Sequence, residues 1–322
     1  MLENKISAIS YRKNPPKTYN WTNKIKVDFR KNKGKYLLLS VVILFYLIFY
    51  YKPLYGALIA FQDYMPNKGI TGSKWVGFEH FKTFFGSMHF WRLIINTFSL
   101  SIMDMIVGFP APIILALLLN EVHSSRIRKV SQTLIYIPHF MSWPVIASLT
   151  FFLLSTDVGV INKLLLSLGR DPLVIITSPK AFWWMLLGQN IWKDIGWGTI
   201  IYLAAISQID QGMYEAATID GATRFQQIIR ITLPCIVPTF IVLFLMRLGR
   251  LLNISFEQVW LMQNNLVYSV SEIFDTYSFR VGLSQGNYGV ATAVGMLKSI
   301  VGLFLVLTSN WLIKKSGNDG IF

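Results

Sequence analysis

Long apolar blocks alternate with shorter polar segments along this chain of 322 residues. A helix needs about 20 apolar residues to cross the roughly 30 Å hydrocarbon core of a bilayer. Six blocks reach that length, and each is predicted to form a membrane-spanning helix. They cover residues 37–60, 94–119, 133–154, 181–207, 234–256 and 289–313. The predicted fold class is an all-α polytopic membrane protein, because only helices and closed barrels satisfy the backbone in lipid and these blocks are too long for barrel strands.

Composition supports the same class. Hydrophobic residues make up 53% of the chain and charged residues 14%, whereas soluble domains contain about 25% charged residues. Mean hydropathy is +0.47. No cleavable signal peptide is expected, because about 36 polar residues precede the first apolar block. We interpret that block as an uncleaved anchor.

The basic residues predict an orientation. Net charge is +14, and ten of the thirty Lys and Arg residues lie within residues 1–36. Because cytoplasmic segments carry the positive excess, both termini are placed in the cytoplasm of a bacterial cell. The predicted organisation is a basic cytoplasmic segment 1–36, a six-helix domain 37–313 with a cytoplasmic loop 208–233, and a cytoplasmic tail 314–322. A basic segment beside a span favours anionic lipid over nucleic acid as its partner.

Residues 24–36, KIKVDFRKNKGKY, alternate apolar and basic side chains. This pattern fits a segment lying along the inner membrane surface, and a disordered basic tail is the alternative.

The residues that could hold a metal are few. Cys235 is the one cysteine, which excludes an internal disulfide, and its apolar context predicts a small buried hydrophobic side chain. The histidines show no ligand spacing, and no metal site is expected. They are His80, His89, His123 and His139.

The loop between the fourth and fifth blocks is predicted to fold as a helical hairpin. Asp210 is a suitable N-cap for a helix over the following residues. Gly221 supplies the left-handed position that commonly closes a helix. Thr223 and Gln226 match a capping box that begins a second helix, and Pro234 is predicted to open the fifth span.

The hairpin is also patterned by side-chain type. Helical spacing predicts one apolar face and one polar face on the second arm. The apolar face holds Phe225, Ile228, Ile229 and Thr232, and the polar face holds Gln226, Gln227 and Arg230. The first arm offers small side chains for close approach, with Glu215 and Asp220 as exposed charges. An ordinary helical loop remains the alternative interpretation at this point.

The same segment contains the spaced motif E-A-A, three residues, G, nine residues, I-x-L-P. This motif resembles the cytoplasmic signature loop of permease subunits of binding-protein-dependent ABC importers. In that family the loop docks into a cleft on an ATPase subunit. The resemblance therefore implies a set of ATPase-coupling residues. They are Glu215, Ala216, Ala217, Asp220, Gly221, Ala222, Ile231, Leu233 and Pro234.

Further segments along nearly the whole chain resemble the oligo- and polysaccharide permeases of that family. They are residues 51–64, 75–81, 136–145, 256–260, 275–283 and 291–299. The resemblance implies a type I importer fold, pairing with a second related permease as a heterodimer, two ATPase subunits, and an extracellular solute-binding lipoprotein that delivers a carbohydrate. ATP and Mg are expected in the ATPase subunits, because this chain lacks a G-x-x-x-x-G-K-[ST] loop. The chain is thus expected to be a transport subunit and not an enzyme, with no cofactor of its own.

Ionisable residues at membrane depth mark a candidate cargo path, since they are costly in lipid and usually face water or a bundle interior. They are Asp104, Lys193, Asp194, Arg247, Arg250 and Lys298. Sugars bind through aromatic stacking and hydrogen bonds to amides and carboxylates. The predicted path residues are Gln189, Asn190, Trp192, Lys193, Asp194, Trp197, Arg247, Arg250, Asn253 and Gln258.

Purely structural roles are the alternative interpretation for these residues. Lys193 and Asp194 pair with neighbouring spans or a partner permease in one interpretation, and the two arginines brace backbone carbonyls instead of binding an acidic sugar. At the level of the whole chain, an ion-gradient-driven secondary transporter would use Lys193 and Asp194 as its ion site, but no inverted repeat is evident. A membrane enzyme would need a convergent acid–base or metal constellation, which the scattered acidic residues do not form.

Overall fold

A computed structural model describes residues 28–315. The predictions for residues 1–27 and 316–322, which include most of the basic segment and the tail, lie outside the described residues. The chain divides into two compact units between Gly56 and Ala57, and each is described by itself.

The first unit is helical. Residues 28–31 form a short turn, and Asp28 accepts hydrogen bonds from Asn32 Nδ2 at 2.8 Å and from the Tyr36 hydroxyl at 2.6 Å. The helical segments that follow are Lys33–Tyr46, Leu47–Tyr51 and Lys52–Leu54. Apolar side chains of this unit are exposed on every side, a pattern typical of a helix surrounded by lipid or other chains.

The second unit is built from helices around one small ribbon. Its α-helices are Gly69–Gly72, Glu79–Phe85, Phe90–Met103, Ala111–Asn120, Ser125–Tyr136, Trp143–Leu154, Val160–Ser167, Pro179–Ile206, Gln211–Ile219, Arg224–Gln227, Leu233–Gly249, Phe256–Met262, Tyr268–Ser271, Phe274–Phe279 and Tyr288–Lys315. Tighter or wider turns are Tyr55–Phe61, Asp104–Gly108, Ile137–Phe140, Ile228–Thr232 and Arg280–Ser284. Strands Gln62–Asp63 and Lys74–Trp75 pair antiparallel.

Several of these segments join into long helices. We label them α1 (Lys33–Phe61), α2 (Phe90–Asn120), α3 (Ser125–Phe140 followed by Trp143–Leu154), α4 (Pro179–Ile206), α5 (Arg224–Gly249) and α6 (Tyr288–Lys315). Within residues 28–315, four helices are long and apolar enough to cross a membrane, namely α1, α2, α5 and α6. The bent pair α3 makes a fifth if it counts as one span.

The third and fourth predicted spans therefore differ from simple crossings. The two pieces of α3 meet at 104°, where we expected one straight helix over 133–154. Met141 and Ser142 are extended and form the break. Pro144 lies in the first turn of the second piece, where a proline is tolerated because its missing N–H has no helical partner. Helix α4 is 28 residues long, but polar side chains at its centre keep it outside the set of strongly apolar helices.

Wide π turns accompany prolines in three of the long helices. The turns Leu47–Tyr51, Asp104–Gly108 and Ile228–Thr232 each end two residues before a proline, namely Pro53, Pro110 and Pro234. A proline lacks an N–H and its ring clashes with the carbonyl four residues earlier. A wider turn at that carbonyl lets the helix continue. Pro234 lies in the first turn of the α-helical part Leu233–Gly249, as predicted, but this part continues without a break from the preceding turns, so helix α5 already begins at Arg224.

Two other expectations also need correction. The fifth span was predicted to run to residue 256, but α5 ends at Gly249 and the chain continues as irregular backbone before Phe256. Cys235 is exposed instead of buried. An apolar sequence context does not predict burial in a membrane helix, since apolar side chains face outward as well as inward.

Packing inside the second unit is local. One cluster joins Phe182, Leu186 and Val259, and another joins Phe84, Leu93 and Val290. At most 17% of the apolar window of each of the four spans is buried within the chain. The remaining apolar surface requires lipid or further chains to cover it.

A buried glutamate ties together residues of the 257–288 segment and the start of α2. Glu272 is 1% exposed, and its carboxylate accepts from Arg92 and Arg280 at 2.6 Å and from the Tyr268 hydroxyl at 2.5 Å. Burial raises the pKa of Glu272, but the hydrogen bonds from Tyr268, Arg280 and Arg92 outweigh burial and hold this pKa below its ordinary value. The ionised carboxylate is therefore the stable form in the folded protein.

Candidate functional site

The first arm of the predicted hairpin has both of its expected ends. Helix Gln211–Ile219 begins at Asp210, whose Oδ1 accepts from the backbone two residues on at 3.0 Å. Gly221 closes it with φ of +78°. The Ala222 N–H then donates to the Ala217 carbonyl at 2.9 Å, as in a Schellman motif. Both predicted caps of this arm are confirmed.

The second arm begins at the predicted capping box. The Thr223 N–H donates to Gln226 Oε1 at 2.8 Å, and the Gln226 N–H donates to Thr223 Oγ1 at 3.4 Å. The arm continues through the π turn Ile228–Thr232 into Leu233–Gly249 without a break. Any displacement of the arm is therefore passed directly to α5.

Two side-chain hydrogen bonds brace the arms against each other. Gln227 Nε2 donates to Thr218 Oγ1 at 2.9 Å, and the hydroxyls of Tyr214 and Thr232 lie 2.8 Å apart. The predicted faces were wrong at three positions, because Gln227 is buried, whereas Phe225 is 70% and Ile229 46% exposed. The amide turns inward because it has a partner on the first arm. Helical periodicity on its own gave no signal for this brace.

The tip of the hairpin is exposed. Glu215, Ala216 and Asp220 face outward, and beside them Ile219 is 86% exposed. These side chains form the docking tip, which we define as Glu215, Ala216, Ile219, Asp220 and Phe225. A protruding surface with apolar and acidic side chains is suited to binding another protein.

The remaining motif residues have different surroundings. Ile231 and Leu233 pack with Tyr214 against a buried cluster around Ile236. These two therefore anchor the base of the hairpin, whereas Pro234 is exposed on α5.

A second polar region lies between α2, α3, α4 and α5. It contains two adjoining cavities of about 220 and 320 Å³. Both are lined by Asp104, Asn190, Asp194, Arg247 and Arg250. Lys193, Asn253 and Gln258 line the first cavity only, and Trp197 lines the second only. The structure thus brings together eight of the ten residues predicted from the sequence as path candidates.

Asp104 fixes the centre of this region. Its carboxylate forms an ion pair with Arg247 and accepts from Asn190 Nδ2 at 2.7 Å. The π turn of α2 begins at Asp104. The contact joins three helices, and the charge of Arg247 is neutralised within the chain.

Lys193 and Asp194 do not pair with each other. Lys193 Nζ donates to the carbonyls of His139, at 3.0 Å, and Met141 at the bend of α3. Asp194 contacts His139 Nδ1 at 2.9 Å, and the His139 ring stacks on Trp197 with centroids 4.7 Å apart. Lys193 therefore satisfies carbonyls freed by the bend, as backbone breaks at membrane depth require.

Two predicted path residues lie elsewhere. Trp192 and Gln189 line neither of the two charged cavities but a separate, mainly apolar one of about 660 Å³. Gln189 donates to Thr150 Oγ1 at 2.7 Å and accepts from Gln258 Nε2 at 3.0 Å. Gln189 and Gln258 thus form a buried amide pair that connects α4 to helix Phe256–Met262.

Sequence reasoning missed two residues of the polar region. Asp104 was recognised as an intramembrane charge but was not placed beside the cargo path. His139 was set aside because histidines were tested only for metal spacing. The signal for both residues was a polar side chain inside a predicted span, which is a functional indication by itself.

Comparisons with known proteins agree with this architecture. The family model "Binding-protein-dependent transport system inner membrane component" matches residues 108–316. Protein LplB of Bacillus subtilis is 48% identical over 91% of this chain and 92% of its own length. The polygalacturonan/rhamnogalacturonan transport system permease protein YteP of the same organism is 44% identical over 92% of this chain and 96% of its own length.

Solved structures show the same fold. A chain of a bacterial ABC transporter involved in the import of the acidic polysaccharide alginate superposes with a TM-score of 0.85 at 41% identity. The match covers 91% of this chain and 99% of that one. A chain of a second structure, a bacterial alginate ABC transporter in complex with an alginate pentasaccharide-bound periplasmic protein, superposes with a TM-score of 0.84 at 41% identity. This match covers 91% of the present chain and 98% of the other. This chain therefore has the type I importer permease fold and belongs to the family of binding-protein-dependent transport system inner membrane components, the permease subunits of ABC importers, and not to the ion-driven transporters or the membrane enzymes.

Proposed function

We propose that this chain is one of two permease subunits of an importer that carries an oligosaccharide across the bacterial cytoplasmic membrane. A second, related permease completes the translocation path. An extracellular solute-binding lipoprotein delivers the cargo. Two cytoplasmic ATPase subunits bind ATP and Mg and supply the free energy.

The braced hairpin is the observation that carries this proposal. Three of the arm ends are capped, and two side-chain hydrogen bonds connect the arms. The second arm is continuous with α5. A docking tip on such a rigid element transmits a push from another subunit as a rigid-body movement of the helix. In this arrangement Glu215 contacts a basic side chain of the ATPase.

The carbohydrate cargo is supported by the named relatives and by the chemistry of the charged cavities. YteP is named for polygalacturonan and rhamnogalacturonan, and both structural matches concern alginate. In this chain Trp197 and Asn190 place an aromatic ring and an amide on the cavity walls. These are the two kinds of group that bind a sugar ring.

The test is reconstitution of the two permeases and the ATPase in proteoliposomes with the loaded binding protein. We expect oligosaccharide uptake that requires ATP and stops when the ATPase is inactivated by substitution of its own catalytic residue. Uptake that continues without ATP, or that follows an imposed ion gradient, would reject the proposal.

Orientation is tested separately. In a Cys235→Ser background, a cysteine is introduced by Asp220→Cys at the docking tip. A membrane-impermeant maleimide is expected to label it in inside-out vesicles and not in intact cells. Labelling in intact cells would place the hairpin outside and contradict the coupling role.

A further inference from the structure

One cation on the walls of the charged cavities has no hydrogen-bond or ion-pair partner among residues 28–315. Five charged side chains line the first cavity, the two carboxylates Asp104 and Asp194 and the three cations Lys193, Arg247 and Arg250. The cavity wall therefore carries an excess of one positive charge. An uncompensated charge at membrane depth is costly and is a functional indication.

The other charges are accounted for by contacts within the chain. Arg247 is paired with Asp104. Lys193 is held by two backbone carbonyls and lies 5.5 Å from the Trp143 ring centroid. Asp194 is occupied by His139. Lys193 and Arg247 therefore each have an acceptor within the chain already.

Arg250 differs from the other two cations. No side chain or carbonyl among residues 28–315 accepts a hydrogen bond from its guanidinium, although the side chain lines both cavities. Arg250 is exposed and directly follows Gly249, the last residue of α5. The predicted alternative, that this arginine braces backbone carbonyls, finds no such contact in the described chain.

The walls around Arg250 indicate what kind of anion fits. Trp197 stacks one face on His139 but is still 51% exposed, so its other face is accessible to a sugar ring. An aromatic surface beside a guanidinium fits a sugar that carries a carboxylate, since guanidinium binds carboxylate through two parallel hydrogen bonds.

We propose that Arg250 binds the carboxylate of a uronic acid residue in the cargo and thereby makes the path selective for acidic oligosaccharides. This inference rests on the proposed function of the chain as a carbohydrate permease. The Arg247–Asp104 pair keeps the neighbouring guanidinium neutralised, so that one site for one carboxylate remains. A neutral sugar would leave the Arg250 guanidinium without a counter-charge.

The test measures equilibrium binding to the purified complex of both permeases and the ATPase in nanodiscs, without binding protein. The probes are fluorescently labelled trimers of galacturonate and of mannuronate, each beside its carboxyl-reduced neutral counterpart. The wild-type complex is expected to bind an acidic trimer at least about tenfold more tightly than its reduced form, the range given by a hydrogen bond to a charged group.

Arg250→Gln is expected to remove this preference by weakening acidic binding about tenfold while neutral binding is unchanged. Arg170→Gln removes the same charge from an exposed position that lines neither charged cavity, and should behave as wild type. If size-exclusion chromatography shows that the Arg250→Gln complex does not assemble, the binding measurement is made on Arg250→Lys instead. The lysine variant is expected to lose acidic binding severalfold, because the paired hydrogen bonds are lost.

Equal binding of acidic and reduced trimers by the wild type would overturn the inference and leave carbohydrate transport intact. Unchanged preference in Arg250→Gln, or in Arg250→Lys if that variant is used, would overturn it as well. Equal weakening of acidic and neutral binding would show that Arg250 only supports the structure. Failure of all four trimers to bind the wild type would count against the carbohydrate cargo itself.

Discussion

Gln227 Nε2 donates a 2.9 Å hydrogen bond to Thr218 Oγ1, and this bond connects the two arms of the cytoplasmic hairpin. The two residues are nine positions apart on either side of the Gly221 turn. Gln227 is 4% exposed, so its amide depends on this partner. The bond joins the first arm to the start of α5, where bending would dissipate an applied force.

Substitution Gln227→Ala is expected to loosen the hairpin and to reduce the sugar transported per ATP hydrolysed. Loss of one hydrogen bond costs about 1 kcal/mol, which weakens the brace without unfolding the chain. The measurement is the ratio of uptake to ATP hydrolysis in proteoliposomes. Gln208→Ala is the matched control, because Gln208 is exposed and makes no side-chain hydrogen bond within residues 28–315. A wild-type ratio in Gln227→Ala would show that the brace is dispensable.

Gly221→Val is expected to weaken transport because it strains the backbone and not because the new side chain clashes with a neighbour. Gly221 has φ of +78°, and a Cβ there would meet nothing within 4 Å. A β-branched residue in this conformation costs on the order of 1–3 kcal/mol, so the second arm shifts. Gly221→Asn is the control, since asparagine tolerates the left-handed region. Uptake assays should rank wild type and Asn well above Val, and equal activity of Val and Asn would contradict this explanation.

A pair of glycines in α4 tests the packing of α3 against it. A Cβ on Gly196 would overlap the carbonyl oxygen of Ile135, whereas a Cβ on Gly188 would meet nothing within 4 Å. Gly196→Ala should therefore lower the melting temperature through overpacking that costs about 1–3 kcal/mol. Gly188→Ala should leave it unchanged or raise it, because alanine favours helix by about 0.5–1 kcal/mol. The melting temperatures of the two purified variants test this prediction. A Gly196→Ala protein as stable as the wild type would contradict the close approach of Gly196 to Ile135.

Glu272 should make stability depend on pH in the acidic range. Its pKa is lowered from 4.5, so its contribution is fully present above that pH and is lost as pH falls through the lower folded value. Glu272→Gln is expected to destabilise the protein at neutral pH by about 3 kcal/mol, because Arg92 and Arg280 lose their buried counter-charge. The difference in melting temperature between wild type and variant should shrink below pH 4.5.

The control for Glu272 is Glu79→Gln, which removes an exposed glutamate that forms no ion pair in the described chain. This variant should follow the wild-type pH curve. A Glu272→Gln curve parallel to wild type from pH 7 down to pH 3 would show that the buried carboxylate does not titrate in that range.

Local features of the chain could be predicted because their causes are local. The caps at Asp210, Gly221 and Thr223 depend on side chains within a few residues of the backbone groups they satisfy. The apolar blocks that became α1, α2, α5 and α6 depend only on length and hydropathy. Sequence likewise showed that charges lie at membrane depth, since Asp104 and Arg247 fall inside predicted spans.

The sequence by itself therefore determined a helical membrane permease with a capped hairpin and a set of intramembrane charges. Only the tertiary structure decided which of those charges neutralise one another, where α3 bends and α5 ends, and that Gln227 faces inward while Phe225 faces out. The reason is physical: whether a polar side chain is buried, paired or free depends on partners far away in sequence. Asp104 lies 143 residues from the arginine it holds, whereas Arg250 has no such partner among residues 28–315.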